Sequence, residues 1–83
     1  MKRYYVYIAK CKDDTLYTGY TVDIKEREAK HNQGEGAKYT RHRRPVKIVY
    51  SEEFKTMSEA MKREAEIKSW PRTKKQELIN MPS

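Results

Sequence analysis

The segment from Tyr4 to Cys11 restricts the fold more than any other. Tyr, Val and Ile cluster there, and two apolar sets alternate: Tyr4, Val6 and Ile8 against Tyr5, Tyr7 and Ala9. A period of two is the signature of a strand, whose successive side chains leave opposite faces. Because both sets are apolar, a sheet containing this strand has to be covered on both sides. Lys12-Asp13-Asp14 supplies turn chemistry, and Leu16 to Tyr20 reads as a second short strand, so the two form an antiparallel hairpin. Gly19 stands out inside that second strand. It marks a bulge, a place where a ligand or another backbone comes close, or a plain loose strand end.

Helical signals follow. Asp23 with Glu26 is a capping-box variant that opens a helix running to about Asn32, and Gly34 falls in its C-terminal cap region. Gly34 to Pro45 reads as a long basic loop, with room for a helical turn. Val46 to Ser51 forms a third strand. Thr56 with Glu59 opens a helix that continues to about Trp70 and stops before Pro71, and Thr73 with Gln76 starts a short last helix that ends at Asn80 and Pro82. The order β-β-α-β-α-α describes an α+β domain, a small three-stranded antiparallel sheet flanked by helices.

The length of 83 residues leaves room for one core, so residues 1–83 are read as a single domain. One cysteine, Cys11, can form neither an internal disulfide nor a cysteine-built metal site. The chain has no secretory signal and no apolar run long enough to span a bilayer, and it is expected to be soluble and cytoplasmic. With 19 basic and 12 acidic residues the net charge is +7, which favours polyanionic partners, nucleic acid first.

Several residues depart from plain packing patterns. Met57, Ala60, Met61 and Ile67 make an apolar stripe at helical spacing, and Glu64 lies on it between Met61 and Ile67. Such a carboxylate either pairs with a cation at the core edge, points outward, or binds a metal ion. Arg27 and His31, four apart, share a helix face. They are either a solvated surface pair or a phosphate-holding arginine beside a histidine able to relay a proton near pH 7. Of seven tyrosines, Tyr7 and Tyr17 are placed to approach one another across the hairpin. A tyrosine serves as a general base only where neighbouring cations or a metal lower its pKa from about 10.

Tyr5-Val6-Tyr7, nine residues, Tyr17-Thr18-Gly19, then Arg27, His31 and Glu64 on a later helix, resemble in order and spacing the signature of the GIY-YIG endonuclease superfamily. Nearly the whole chain takes part, in the manner of its small stand-alone bacterial group related to the structure-specific endonuclease branch. The resemblance implies a divalent-metal-dependent endonuclease that hydrolyses phosphodiesters, with DNA ranked ahead of RNA. It assigns Tyr7 and Tyr17 to positioning or activating the attacking water, and Gly19 to keeping that strand open. Arg27 would bind the phosphate, His31 matches a histidine of one branch, and Glu64 would hold a single Mg2+ or Mn2+. The sequence departs from the signature at Tyr5, at Thr18 and at Gln76, near the position of the family's downstream asparagine. Lys38, Tyr39, Arg41, Arg43 and Arg44 of the basic loop are expected to hold the nucleic-acid backbone, with Tyr39 available to stack on a base. A non-catalytic nucleic-acid-binding module and a scaffold subunit are the alternatives.

Overall fold

The computed structural model describes residues 2–81. Strand β1, Tyr4–Lys10, is central in a sheet of order β2-β1-β3, with β2 at Leu16–Thr21 and β3 at Lys47–Phe54, and both pairings are antiparallel. The double apolar pattern of β1 is explained by this position. Val6 and Ile8 meet Ala60 and Ile67 on one face, while Tyr7 and Ala9 pack with Cys11, Val46 and Ile24 on the other. Asp14 takes the left-handed conformation in the hairpin turn (φ 66°), one that aspartate tolerates better than most side chains. β3 extends three residues beyond the expected Ser51, to Phe54, because Tyr4, Tyr5 and Val6 continue the ladder with Phe54, Glu53 and Glu52. A bulge falls where Ile8 pairs with Tyr50 and Ala9 with Ile48. It places both Val49 and Tyr50 against the Val6–Ile8 side.

Helix α1, Ile24–Asn32, begins as its sequence indicates. Asp23 is extended, and its carboxylate accepts from the Glu26 amide at 3.0 Å. The helix closes at Gln33, followed by Gly34 in the left-handed region (φ 83°). Two side chains bind α1 to the start of β3. The Asn32 amide exchanges hydrogen bonds with the Val46 backbone at 2.9 and 2.6 Å, and Glu28 accepts from the Ile48 amide at 2.7 Å. These bonds fix the rotation of α1, and with it the face that carries Arg27 and His31. The basic loop contains one helical turn, α2 (Lys38–Arg41).

Helix α3, Met57–Lys68, is capped by Thr56, whose hydroxyl accepts from the Glu59 amide and donates to the Glu59 carboxylate. It stops two residues short of Trp70. Its buried stripe is narrower than the sequence suggested. Ala60 and Ile67 are fully buried, whereas Met57 and Met61 are 45% and 46% exposed. At 3.6 residues per turn, Glu64 sits roughly 40° from the Ala60–Ile67 line on the methionine side and Arg63 roughly 60° away on the other. The last helix, α4 (Arg72–Asn80), starts one residue before the expected Thr73. Pro71, extended at ψ 160°, presents its carbonyl to the amides of Lys74 and Lys75, and no side chain caps the helix. Leu78 and Ile79 pack on the Val6–Ile8 cluster; Pro82 lies outside the described residues.

Thr18 pairs with Ile8 and so faces the same apolar cluster, 3% exposed, with a hydroxyl that has no partner among the described residues. A buried unpaired hydroxyl is costly, and valine has nearly the same shape. Thr18→Val is therefore expected to stabilise the fold by about 1 kcal/mol, read as a Tm increase of roughly 4–8 °C in thermal unfolding. A lower Tm would show that the hydroxyl has a partner.

Candidate active site

At the open edge of β2, α1 from one face of the sheet and α3 from the other border a cleft of about 380 Å³. Tyr7, Tyr17, Gly19, Arg27 and Glu64 all line it, together with Tyr4, Tyr20, Val22 and Met57. Five of the residues singled out in the sequence thus converge from four elements separated by up to 57 positions in the chain.

The floor is built on the β1–β2 register. Tyr7 pairs with Gly19 and Ala9 with Tyr17, so the two tyrosines are diagonal neighbours on one face with ring centroids 6.3 Å apart. Gly19 is explained by close approach. A Cβ there would lie 2.6 Å from the Tyr7 hydroxyl oxygen, which occupies the space a side chain would need.

Behind the floor lies His31, fully buried and outside the cleft lining. Its Nε2 is 2.8 Å from the Tyr7 hydroxyl and its Nδ1 2.8 Å from Oγ1 of Thr40. Tyr17 meets the ring edge-on at 5.4 Å. The shared face of Arg27 and His31 accordingly divides into two jobs, with Arg27 opening on the cleft and His31 supporting it from within. Burial first, and then the Arg27 guanidinium, hold His31 below its ordinary pKa of 6.5, so it is neutral at pH 7. Tyr7 moves the other way. Burial, with Tyr17 and Glu64 adding to it and Arg27 opposing, raises the phenol above its usual 10, so Tyr7 carries its proton at neutral pH. A simple phenolate base requires a lowered tyrosine pKa, and the protein's own groups move Tyr7 in the opposite direction.

Two of the cleft's four charged residues are poorly matched within the protein. Among the described residues Arg27 has no ion-pair partner, and Glu64, its side chain 18% exposed, has only Lys68 at 3.6 Å. The pairing of a core-edge carboxylate with arginine does occur on α3, but elsewhere. Arg63 forks onto Glu52 at 2.9 and 3.0 Å and also reaches Glu66. Of Glu52, Glu64 and Glu66, Glu64 is the one that lines the cleft. Asp23 and Glu26 also line it, but the former caps α1 and the latter pairs with Lys30. No cluster of three or more His, Cys, Asp or Glu suited to a metal exists among the described residues. One weakly engaged carboxylate in an open cleft suits Mg2+ or Mn2+, which keep several waters, and not an ion that demands a full protein cage.

The basic loop packs against this site. Tyr39 stacks on Tyr17 at 5.9 Å, and the Arg43 guanidinium lies 4.2 Å from the centre of the Tyr39 ring while bonding Asp13 and the Tyr39 carbonyl. Arg44 bonds the carbonyls of Arg41 and Asn32. Arg43 and Arg44 thus brace the loop; Lys38, Arg41 and Arg44 are exposed, and among the described residues Arg44 alone of these three spends its side chain on hydrogen bonds within the protein. Gln76, on α4, is outside the cleft lining and contacts Asn80 at 3.4 Å. The sequence reading overlooked Thr40 and Gly36. An uncharged threonine in a basic run and a second glycine two positions after Gly34 were the available signals.

Residues 3–77 match the GIY-YIG catalytic domain, and the chain belongs to the GIY-YIG family. It is 60% identical over 80 residues to the UPF0213 protein of Staphylococcus saprophyticus, covering 96% of this chain and 98% of the relative. The UPF0213 protein of Staphylococcus aureus is 57% identical, covering 95% and 96%. Two solution structures resemble it, each over 93% of this chain and 82% of the other. One is a UPF0213 protein of Bacillus halodurans (48% identity, TM-score 0.60) and the other a protein of E. faecalis (44% identity, TM-score 0.63). No helix among the described residues is long and apolar enough to cross a membrane.

Proposed function

We propose that this protein is a divalent-metal-dependent endonuclease acting on nucleic acid, DNA in the first place, with Tyr7, Tyr17, Arg27, His31 and Glu64 as its active site. The observation that carries this reading is the convergence on one open cleft of an arginine with no ion-pair partner among the described residues, a weakly paired carboxylate and a histidine-backed tyrosine. Glu64 would hold Mg2+ or Mn2+. When bound, that ion supplies charge neutralisation at the phosphate and at the departing oxygen.

The chain's own groups account for the rest. Arg27 binds a non-bridging phosphate oxygen and stabilises the charge that grows there in the transition state. Tyr7 accepts a proton from the attacking water as its own passes to Nε2 of His31, leaving hydroxide for in-line attack and an imidazolium behind. Tyr17 lines the same wall and orients the nucleophile. Lys38 and Arg41 hold the flanking backbone. These are sequence-independent contacts, so affinity should fall steeply with salt.

The test is cleavage of labelled single-stranded, duplex, flapped and branched DNA and RNA with Mg2+ or Mn2+ against chelator. Metal-dependent cutting is expected. Salt-sensitive binding without cutting would identify a binding module instead. Arg27→Ala should lower the cleavage rate on the order of 10²-fold while changing affinity only a few-fold, because one of many cations adds little to binding but much to the transition state. Equal losses in both would remove Arg27 from that role.

A further inference from the structure

The histidine behind Tyr7 is useful to the reaction in only one of its two neutral forms. To take the tyrosine proton, Nε2 must be bare and Nδ1 must carry the hydrogen. An isolated neutral imidazole in water prefers the opposite arrangement, so something in the protein has to reverse the preference.

Thr40 is the group in position to do so. It is fully buried, its Oγ1 lies 2.8 Å from Nδ1 of His31, and the same oxygen lies 3.2 Å from the carbonyl of Ala37. A carbonyl only accepts, so the bond to Ala37 uses the single hydroxyl proton of Thr40 and leaves its lone pair facing Nδ1. Nδ1 then donates, Nε2 accepts, and Tyr7 donates, giving a one-way chain from Tyr7 through His31 and Thr40 to Ala37. With the opposite tautomer, Thr40 would donate to Nδ1 and lose its bond to Ala37, so the interior would hold one hydrogen bond fewer. Gly36 closes the remaining route. A Cβ at this position would overlap Nδ1 of His31 and approach its Cα to 2.8 Å, so the chain lies directly on the ring and leaves no room for a water to replace Thr40.

We propose that Thr40 is a positioning residue that locks His31 in the Nδ1-protonated tautomer and so keeps Nε2 open to the Tyr7 hydroxyl. The contribution of this lock to cleavage rests on the reading given under Proposed function; the tautomer itself does not.

The experiment is long-range proton–nitrogen NMR of protein carrying 15N-labelled histidine at about pH 8, where a neutral imidazole is expected. The exposed His42 serves as the internal reference. Wild type should show His31 with a protonated Nδ1 and a bare Nε2. Thr40→Val, which keeps the shape and removes the acceptor, should shift His31 towards the Nε2-protonated form, and Thr40→Ser should restore the first pattern. In cleavage assays the valine variant should lose about tenfold or more in kcat with KM little changed, and the serine variant should recover. A wild-type His31 protonated on Nε2 overturns the proposal, even if Thr40→Val does not fold. So does a folded valine variant that keeps the wild-type tautomer. The expected tautomers in a protein that cuts no substrate would support the lock and overturn the nuclease reading.

Discussion

Glu64→Ala is expected to abolish metal-dependent cleavage, by at least 10²–10³-fold on the order of magnitude of lost transition-state charge stabilisation, while the protein stays folded. The argument turns on how little Glu64 does for the fold. Its one ionic contact among the described residues is Lys68 at 3.6 Å, an i,i+4 pair whose lysine is half exposed. Pairs of that kind contribute at most about 0.5 kcal/mol, and freed Lys68 can hydrate. Glu52 shows what a structural carboxylate looks like here. It takes both arms of Arg63 and a hydrogen bond from Tyr50, and these partners hold its pKa below the ordinary carboxylate value against the opposing effect of burial. Removing Glu52 would take two of the three carboxylate bonds of Arg63 and the acceptor of Tyr50; removing Glu64 releases only the half-exposed Lys68. Calorimetric titration with Mn2+ should lose its binding event in the variant, with Tm within a few degrees of wild type. Wild-type-like cleavage by the variant would remove Glu64 from the metal site, and a large Tm loss would reassign it to structure.

How much of this was legible in the sequence depended on whether the cause was local. The N-caps at Asp23 and Thr56 act within one turn, and both stand where the residues indicated. The double alternation of Tyr4 to Ala9 reports burial on two faces, and β1 is indeed central. Pro71 acts locally too, but as a carbonyl acceptor for the first amides of the helix after it, a function that its ring does not advertise. The exposure of Met57 and Met61 is a matter of neighbours. The stripe is set by which side of α3 meets Val6 and Ile8, and the methionines fall beyond its border, at the cleft mouth and on the outer face. The site divides in the same way. Tyr7, Tyr17, Arg27 and Glu64 are brought to one cleft by a register and two helix orientations that their spacing already encodes. Thr40 and Gly36 are not legible alone, because their meaning depends on the basic loop folding back over His31, and the residues that hold it there, Asp13, Asn32, Arg43 and Arg44, are scattered along the chain.

Tyr7→Phe should lower the cleavage rate by about 10²–10⁴-fold with metal binding and nucleic-acid affinity retained, which separates the proton path from the electrostatics. Phenylalanine keeps the ring, which is 2% exposed and packs on Ala9, Cys11 and Val46, so the floor of the cleft survives. What disappears is the hydroxyl between the water and Nε2 of His31. That nitrogen is then buried without a partner, a loss of about 1–3 kcal/mol, so rates should be compared well below the variant's lower Tm. The pH dependence carries a second check. Because the Tyr7 phenol titrates above its usual 10, its own ionisation cannot shape the profile near neutrality. The rate should instead follow the neutral fraction of His31, falling as the solution is acidified. The midpoint should lie below 6.5, because burial and Arg27 depress the imidazole pKa. In Tyr7→Phe that acid limb should vanish along with most of the rate, since His31 no longer communicates with the cleft. An unchanged rate with an unchanged acid limb would show that the water loses its proton by another path, and Tyr17, on the same wall and in edge contact with the same imidazole, would be the residue to test in its place.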